Sequence, residues 1–504
     1  MSGTTSSSSP AAEVVQPPPP QKKENFLQKF TVLKGAQREL WLVFVIKFLN
    51  IAAYGLMNST LKLWLSADFG YNDKQSLAIV AAWSFSMTGF TLLVGSLTDA
   101  IGLRRTFFIG ATLCVLTRAV MAFATVKWVA LSFGLFPLAL GEAMGTPVLV
   151  AAVRRYSNTR QRSISFSVFY AMMNLGFLIA NYAFDFVRQG LGEHGHLTLF
   201  GSQVSTYRVL FLVSLVFELS QFPLIYWLRK GAEATDEGVK INVESPKYPN
   251  ENFWRASWLT VRDTIKETIR LLKGLVGQNG FYRLMAFLIL IAFLKLIFMQ
   301  MYYVFPTFGI RELGNGAPVG KLWAINGYFV ILLVPVVGAL TQRFSAYRMV
   351  IVGGIISAIS VFIMALPTAW FSGLANGAFG DFVAHWYLGL GGSIHPYYVM
   401  IAIFVVLLSF GEAFYSPRVY EYAASIAPKG QEASYSALAW VPFLLAKLLI
   451  GTFAGILLEN YCPENGPRNS GMMWLAVGLT ACIAPIGLIV LRRYIRVDEA
   501  GRQE

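Results

Sequence analysis

The chain has 504 residues, 55% hydrophobic and 13% charged, with a mean hydropathy of +0.54, whereas soluble domains carry roughly 25% charged residues. That composition excludes an ordinary globular protein. The formal charge of +14 does not point to a nucleic-acid partner, because the basic residues are not gathered on one soluble segment.

Residues 1–38 are Ser-rich, then run through Pro17 to Pro20 to Lys22 and Lys23, without a signal peptide's apolar middle and cleavage site. A disordered cytoplasmic tail is expected there. Apolar stretches long enough to cross about 30 Å of hydrocarbon follow near 39–66, 75–98, 105–125, 128–153, 163–188 and 208–229. A second set runs near 283–308, 320–342, 348–371, 395–424, 433–458 and 471–495. The expected fold is all-α and membrane-spanning: twelve transmembrane helices in two pseudo-symmetric six-helix bundles, over 39–229 and 283–496. Between them, 230–282 is polar, and 254–273 has apolar residues at helical spacing, which predicts an amphipathic helix on the cytoplasmic face. The segment 373–393, with Gly at 373, 377, 380, 389, 391 and 392, reads as a long outward loop, and 497–504 as a cytoplasmic tail.

With both termini inside, 28 of the 41 Lys and Arg fall in cytoplasmic segments and 7 in outward ones. This asymmetry sets the orientation by the positive-inside rule, and a multi-pass protein of the cell membrane is expected. Of the 6 remaining in the spans, Lys62, Arg118, Arg418 and Lys447 lie near span ends or on outer helices, as does Glu218. Snorkelling to the interface is expected for most of these five.

The halves repeat. Gly141-Glu142-Ala143 followed by Thr146-Pro147 recurs as Gly411-Glu412-Ala413 followed by Ser416-Pro417, and Gln161 and Gln431 keep the same spacing from it. Gly95-Ser96-Leu97-Thr98 recurs as Gly338-Ala339-Leu340-Thr341, at an offset shorter by the extra segment in the second half.

The run Gly95 to Arg105 (GSLTDAIGLRR) closes the second span and opens the third. Gly95 and Gly102 permit a tight approach, Asp99 can accept from a helix amino terminus, and Arg104 and Arg105 sit at the surface, a cluster able to latch one conformation. It resembles the signature loop of the major facilitator superfamily. That resemblance implies that spans one, four, seven and ten line a central cavity; here they carry Lys47, Glu142, Lys295 and Glu412. Ionisable groups at that depth should face a wet cavity or one another. Two readings stand: a site for a zwitterion or anion that breaks internal pairs on binding, or permanent pairing that holds the bundles together.

A narrower resemblance is to the proton-coupled oligopeptide transporter family. It rests on FYAMMNLG (Phe169 to Gly176), INGYFVILLVP (Ile325 to Pro335), GEAFYSP (Gly411 to Pro417) with Ala427-Pro428, and Trp440. It implies that Tyr170, Asn174, Asn326, Glu412 and Trp440 meet the substrate; Tyr54 and Gln300 fit more loosely. The departures are specific. The family's first-span Glu-x-x-Glu-Arg-Phe register holds Ile46, Leu49, Asn50 and Ile51, its span-four Lys is Thr146, and its span-seven acid is Met299. These count against the family's usual proton coupling. If protons are carried, Glu412 and Glu142 are the candidates.

Neither the cysteines (Cys114, Cys462, Cys482) nor the histidines (His194, His196, His385, His395) have metal-ligand spacing, and HExxH, GxSxG, P-loop and CxxC patterns are missing. No metal, cofactor or enzymatic activity is expected. The reading is a monomeric secondary transporter of a small polar solute, zwitterionic or anionic, with a di- or tripeptide or amino-acid derivative first. The alternatives are an organic-anion or nucleoside-like facilitator and a transporter-like solute receptor.

Overall fold

The computed structural model describes residues 31–158, 161–199, 201–235, 238–241, 248, 250–341, 344–426 and 441–496. Trp440, Ala427, Pro428, Gln431 and the tail 497–504 lie outside these residues, as do residues 1–30. Residues 31–38 are not tail: Thr31–Gly35 is a short 3-10 helix that buries Leu33 against the first bundle's core.

The membrane helices are α1 (Arg38–Phe69), α2 (Asp73–Ile101), α3 (Leu103–Phe123), α4 (Lys127–Tyr156), α5 (Arg162–Leu191) and α6 (Thr206–Trp227). Then come α7 (Asn279–Tyr303), α8 (Val319–Leu340), α9 (Ala346–Ala365), α10 (Pro396–Ile426), α11 (Val441–Tyr461) and α12 (Ser470–Val490). Ten of the described helices are long and apolar enough to cross a bilayer; α2 and α11 complete the twelve. Helices satisfy their own main-chain groups, which the hydrocarbon cannot do.

Which helices touch reveals the repeat. In the first half α1 packs on α5 and α6, α3 on α4 and α6, and α2 on α4; in the second, α7 packs on α11 and α12, α9 on α10 and α12, and α8 on α10. Adding six to each helix number converts one set into the other. The bundles meet where α5 lies on α8 and α2 on α11, two contacts that the same operation exchanges. At the α3/α4 crossing, a Cβ on Gly141 would stand 2.7 Å from Cys114 Sγ; at the α9/α10 crossing, one on Gly411 would stand 2.2 Å from Ser357 Oγ. Both crossings depend on small residues, since helices in lipid associate by close packing.

One end of the bundles, the loop end, carries the hairpin of β1 (His196–Leu199) and β2 (Ser202–Ser205). The segment expected as a loop at 373–393 is partly helical, with Ser372–Ala375, Ala378–Asp381 and a wide turn at Phe382–Tyr387; there Phe382 stacks on Trp386, ring centroids 5.1 Å apart. Gly377 caps the second turn, whereas Gly373 and Gly380 lie within turns. The opposite, linker end carries β3 (Ala232–Thr235), β4 (Gly238–Ile241) and a helix over Phe253–Val276 packed on α2 and α7, where the amphipathic pattern places it.

Gly411→Ala should destabilise the protein by about 1–3 kcal/mol through overpacking, read as a lower thermal midpoint in detergent. An unchanged midpoint would mean that α9 and α10 do not cross so closely.

Candidate functional site

At the loop end, α5 and α8 meet backbone to backbone: a Cβ on Gly320 would stand 2.2 Å from Asn181 O. Two turns further along α8 they have separated, since a Cβ on Gly327 would reach Asn174 O only at 3.7 Å. The divergence opens a cavity with room for water centres of about 70 Å³, enough for a few waters. Tyr170, Met173, Asn174, Phe177, Leu178 and Asn181 of α5 line one side. Phe298, Tyr302, Trp323, Asn326, Gly327 and Glu412 of α7, α8 and α10 line the other.

The polar groups of this wall have fixed roles. Asn174 Nδ2 donates to Tyr170 O at 2.9 Å. Asn326 Nδ2 donates to Ser409 Oγ and to Glu412 Oε2, each at 3.0 Å. A carbonyl and a carboxylate can only accept, so both amides are oriented by chemistry, and each keeps its Oδ1 as an acceptor. With the carboxylate of Glu412, the cavity therefore presents three acceptors, beside the second N–H of Asn174 and the Tyr302 hydroxyl. Around them stand aromatic faces: Tyr302 meets Trp323 edge-on at 6.0 Å and Phe177 at 5.6 Å.

Of the residues expected at the site, Tyr170, Asn174, Asn326 and Glu412 come together here. Lys47, Tyr54, Glu142, Lys295 and Gln300 do not line this cavity. Lys47 is fully buried; its Nζ donates to Thr146 Oγ1 at 3.1 Å and stands 4.7 Å from the centre of the Phe169 ring. Lys295 repeats that arrangement, its Nζ 3.5 Å from Ser416 Oγ and 5.0 Å from the Tyr415 ring centre, and it acts electrostatically on Glu412. Tyr54 is half-buried, and Gln300 is buried with its Nε2 unpartnered.

The expectation that two lysines and two glutamates neutralise one another is corrected for Glu142. Its carboxylate takes a hydrogen bond from Arg118, which also donates to Glu218 Oε2 at 3.2 Å. Arg118 and Glu218, expected to snorkel, are 0% and 2% exposed, because an ion pair in the bundle interior spares either charge the hydrocarbon. The other three are buried too. Lys62 pairs with Asp73, Arg418 donates to Thr341 Oγ1 at 2.9 Å, and Lys447 donates to Thr88 Oγ1 at 3.2 Å.

In the latch loop, Gly102 joins α2 to α3 at φ 87, a conformation that favours glycine. The Arg104 guanidinium lies 5.2 Å from the Tyr226 ring centre, and Arg105 is exposed. Gly95 and Asp99 lie in the last turns of α2.

Sequence reasoning missed the loop-end seam. Asp185 of α5 accepts from the main-chain N–H of Gly320 (3.0 Å) and of Lys321 (2.6 Å), capping α8 across the interface where its dipole favours an anion. Arg188 pairs with Asp185 at 3.2 Å and donates to Ala317 O and to Glu193; Glu193 in turn accepts from Gly316 N and from the Tyr207 hydroxyl. On the other side of the seam, Asp73 holds both Lys62 and Arg311. Among the described residues, the Asp73–Arg311 ion pair and the main-chain hydrogen bonds of Asp185, Arg188 and Glu193 cross between the bundles at this end, so the cavity is shut toward it. Sequence offered one signal, an acid and an arginine one turn apart at the end of α5.

Asp185→Ala should weaken this seam by about 3–5 kcal/mol, seen as faster hydrogen exchange at the Gly320 and Lys321 amides; unchanged protection would remove its capping role. Burial raises the Glu193 carboxyl, but Arg188, Tyr207 and Gly316 N–H outweigh it and hold the group below its usual 4.5. Its contribution is therefore complete above that value and lost as pH falls through the lowered one. Acidification below pH 4.5 should speed loop-end exchange in the native protein, and Glu193→Gln should abolish that acid step.

A family model described as Major Facilitator Superfamily matches residues 43–385. The methyl viologen resistance protein SmvA of two Salmonella typhimurium strains is 32% identical over 110 residues, 21% of this chain and 22% of the relative; the match thus spans about a fifth of those relatives' length. Among solved structures, a POT family transporter in complex with 5-aminolevulinic acid superposes with a TM-score of 0.65 at 16% identity, over 91% of this chain and 97% of that one. A mutant peptide transporter POT in complex with alafosfalin gives 0.64 at 16%, over 93% and 99%. A tetrameric relative, PepTSo2, gives 0.61 at 15%, over 91% and 99%. At such identities the likeness is one of fold.

Proposed function

The chain belongs to the Major Facilitator Superfamily, and we propose that it is a secondary carrier of a small solute bearing an amine, of the di- or tripeptide or amino-acid-derivative class. The observation that carries this is the acceptor wall of Asn174, Asn326 and Glu412: three groups waiting for donors fit an ammonium. Lys295, electrostatically linked to Glu412, is the cation that a carboxylate on the same solute would draw upon. The fold it shares with transporters crystallised with 5-aminolevulinic acid and alafosfalin supports this class.

Positive-inside asymmetry supports a cytoplasmic linker end, in the cell membrane, with the sealed loop end outside. Transport proceeds by rocking of the bundles about the α5/α8 and α2/α11 contacts. Each chain holds a whole cavity, which supports a working monomer. Glu412, the carboxylate on the described wall, is the coupling group: an arriving ammonium or a proton neutralises it, and its charge state changes the pull on Lys295 and Asn326.

A second reading is an organic cation lacking a carboxylate. The aromatic rings and the acceptor wall suit it, and the partial match to a methyl viologen resistance protein supports it. The same wall weighs against an organic anion.

The test is uptake into proteoliposomes of the purified protein, with dipeptides, amino acids, organic cations, nucleosides and organic acids offered in turn. Uptake of an amine-bearing solute, lost with Glu412→Gln and lowered about 10–100-fold by Asn326→Ala, the usual effect of losing a hydrogen bond to a charged group, is the expected result. Binding without flux would make the protein a receptor, and uptake restricted to anions would overturn the amine reading.

A further inference from the structure

The Arg118 cluster lies in the first bundle, outside the cargo cavity. Its guanidinium, 0% exposed, donates from one terminal nitrogen to Glu142 Oε1 and from the other to Glu218 Oε2. The three charges sit on α3, α4 and α6, with α3 packed on both of the others. One cation and two ionised carboxylates leave a net negative charge at bilayer depth, which is costly. Among the described residues, the neighbouring elements supply no second cation. From α1 the Tyr54 hydroxyl acts on Glu142, from α3 the Cys114 thiol acts on both carboxylates, and from α6 the Gln221 amide bonds Glu218. Lys47, another buried cation of this bundle, is engaged by Phe169 and by Thr146, just past Met144 and Gly145 where α4 is interrupted.

We propose that Glu142 and Glu218 share one proton across Arg118, forming a proton-binding site separate from the cargo cavity. The O–H bond forms on one carboxylate while the guanidinium holds the other, and the cluster becomes neutral. A small cavity beside it, lined by Asn50, Gly141, Gly145, Glu218 and Gln221, has room for water centres of about 10 Å³, on the scale of one water, which brings the proton in and out. Gly145 lies in the break of α4: a Cβ there would stand 3.0 Å from the Asn50 side chain. Loading the site therefore acts where α4 is interrupted beside Asn50 of α1. This deepens the carrier reading by adding a site for the driving ion, but its test needs no cargo.

Infrared difference spectra of the purified protein, recorded between acidic and alkaline pH, report protonated carboxyl groups directly. The expected result is a buried carboxylic-acid band that persists in Glu412→Gln and in Glu193→Gln and is lost in both Glu142→Gln and Glu218→Gln. A band unchanged in both variants, or its absence from the wild type, overturns the proposal. Should either variant fail to fold, Glu142→Asp and Glu218→Asp keep both carboxylates; each should shift the band, and no shift in either overturns the proposal. Loss of solute uptake with the band intact would count against the carrier reading alone.

Discussion

A charge inside hydrocarbon must be matched, and that requirement organises this molecule. Lys62 and Arg311 share Asp73, Arg118 holds Glu142 and Glu218, and Arg188 lies between Asp185 and Glu193. The apolar helix faces supply bulk packing, but they are nearly equivalent to lipid and do little to select one arrangement. Charge matching is directional, so it decides which helices face one another and at what depth. Two of these clusters cross between the bundles, at the same end.

The two halves share a scaffold and differ in what they place on it. Gly110 and Gly353 hold corresponding positions at the α3/α4 and α9/α10 crossings. Counted from them, the position of Arg118 is taken in the second half by Val361, which is fully buried. A guanidinium therefore engages Glu142, whereas Glu412 meets an amide and an open cavity. One glutamate of the repeat is bonded inside the first bundle, and its counterpart lines the cavity between the bundles.

The spans, the repeat and the shared-cavity residues Asn174, Asn326 and Glu412 were legible because each is a local pattern: a run, a recurrence, a short motif. What stayed hidden is distributed. Arg118, Glu142 and Glu218 lie on three helices and meet only after packing, and a position near a span's end gave the wrong prior for Arg118 and Glu218. Glycine content suggested a loop at 373–393, but Gly373 and Gly380 lie within short helical turns and Gly377 caps the second of them. The interruption of α4 at Met144–Gly145 was not read from the sequence, and its consequence, Lys47 bonded to Thr146 past the turn, needs three dimensions.

The Asp185 contact has a feature that ordinary ion pairs lack: its receiving half is main chain. A salt bridge between two side chains can be lost by substitution on either side. Here the side chain at position 321 can drift without removing the N–H that Asp185 accepts, and the demand at 320 is only for smallness. The specificity of the α5/α8 contact is thus written almost wholly in α5, so α8 can diverge in sequence around its solute while still meeting the same partner, whereas the Asp73–Arg311 contact constrains both bundles.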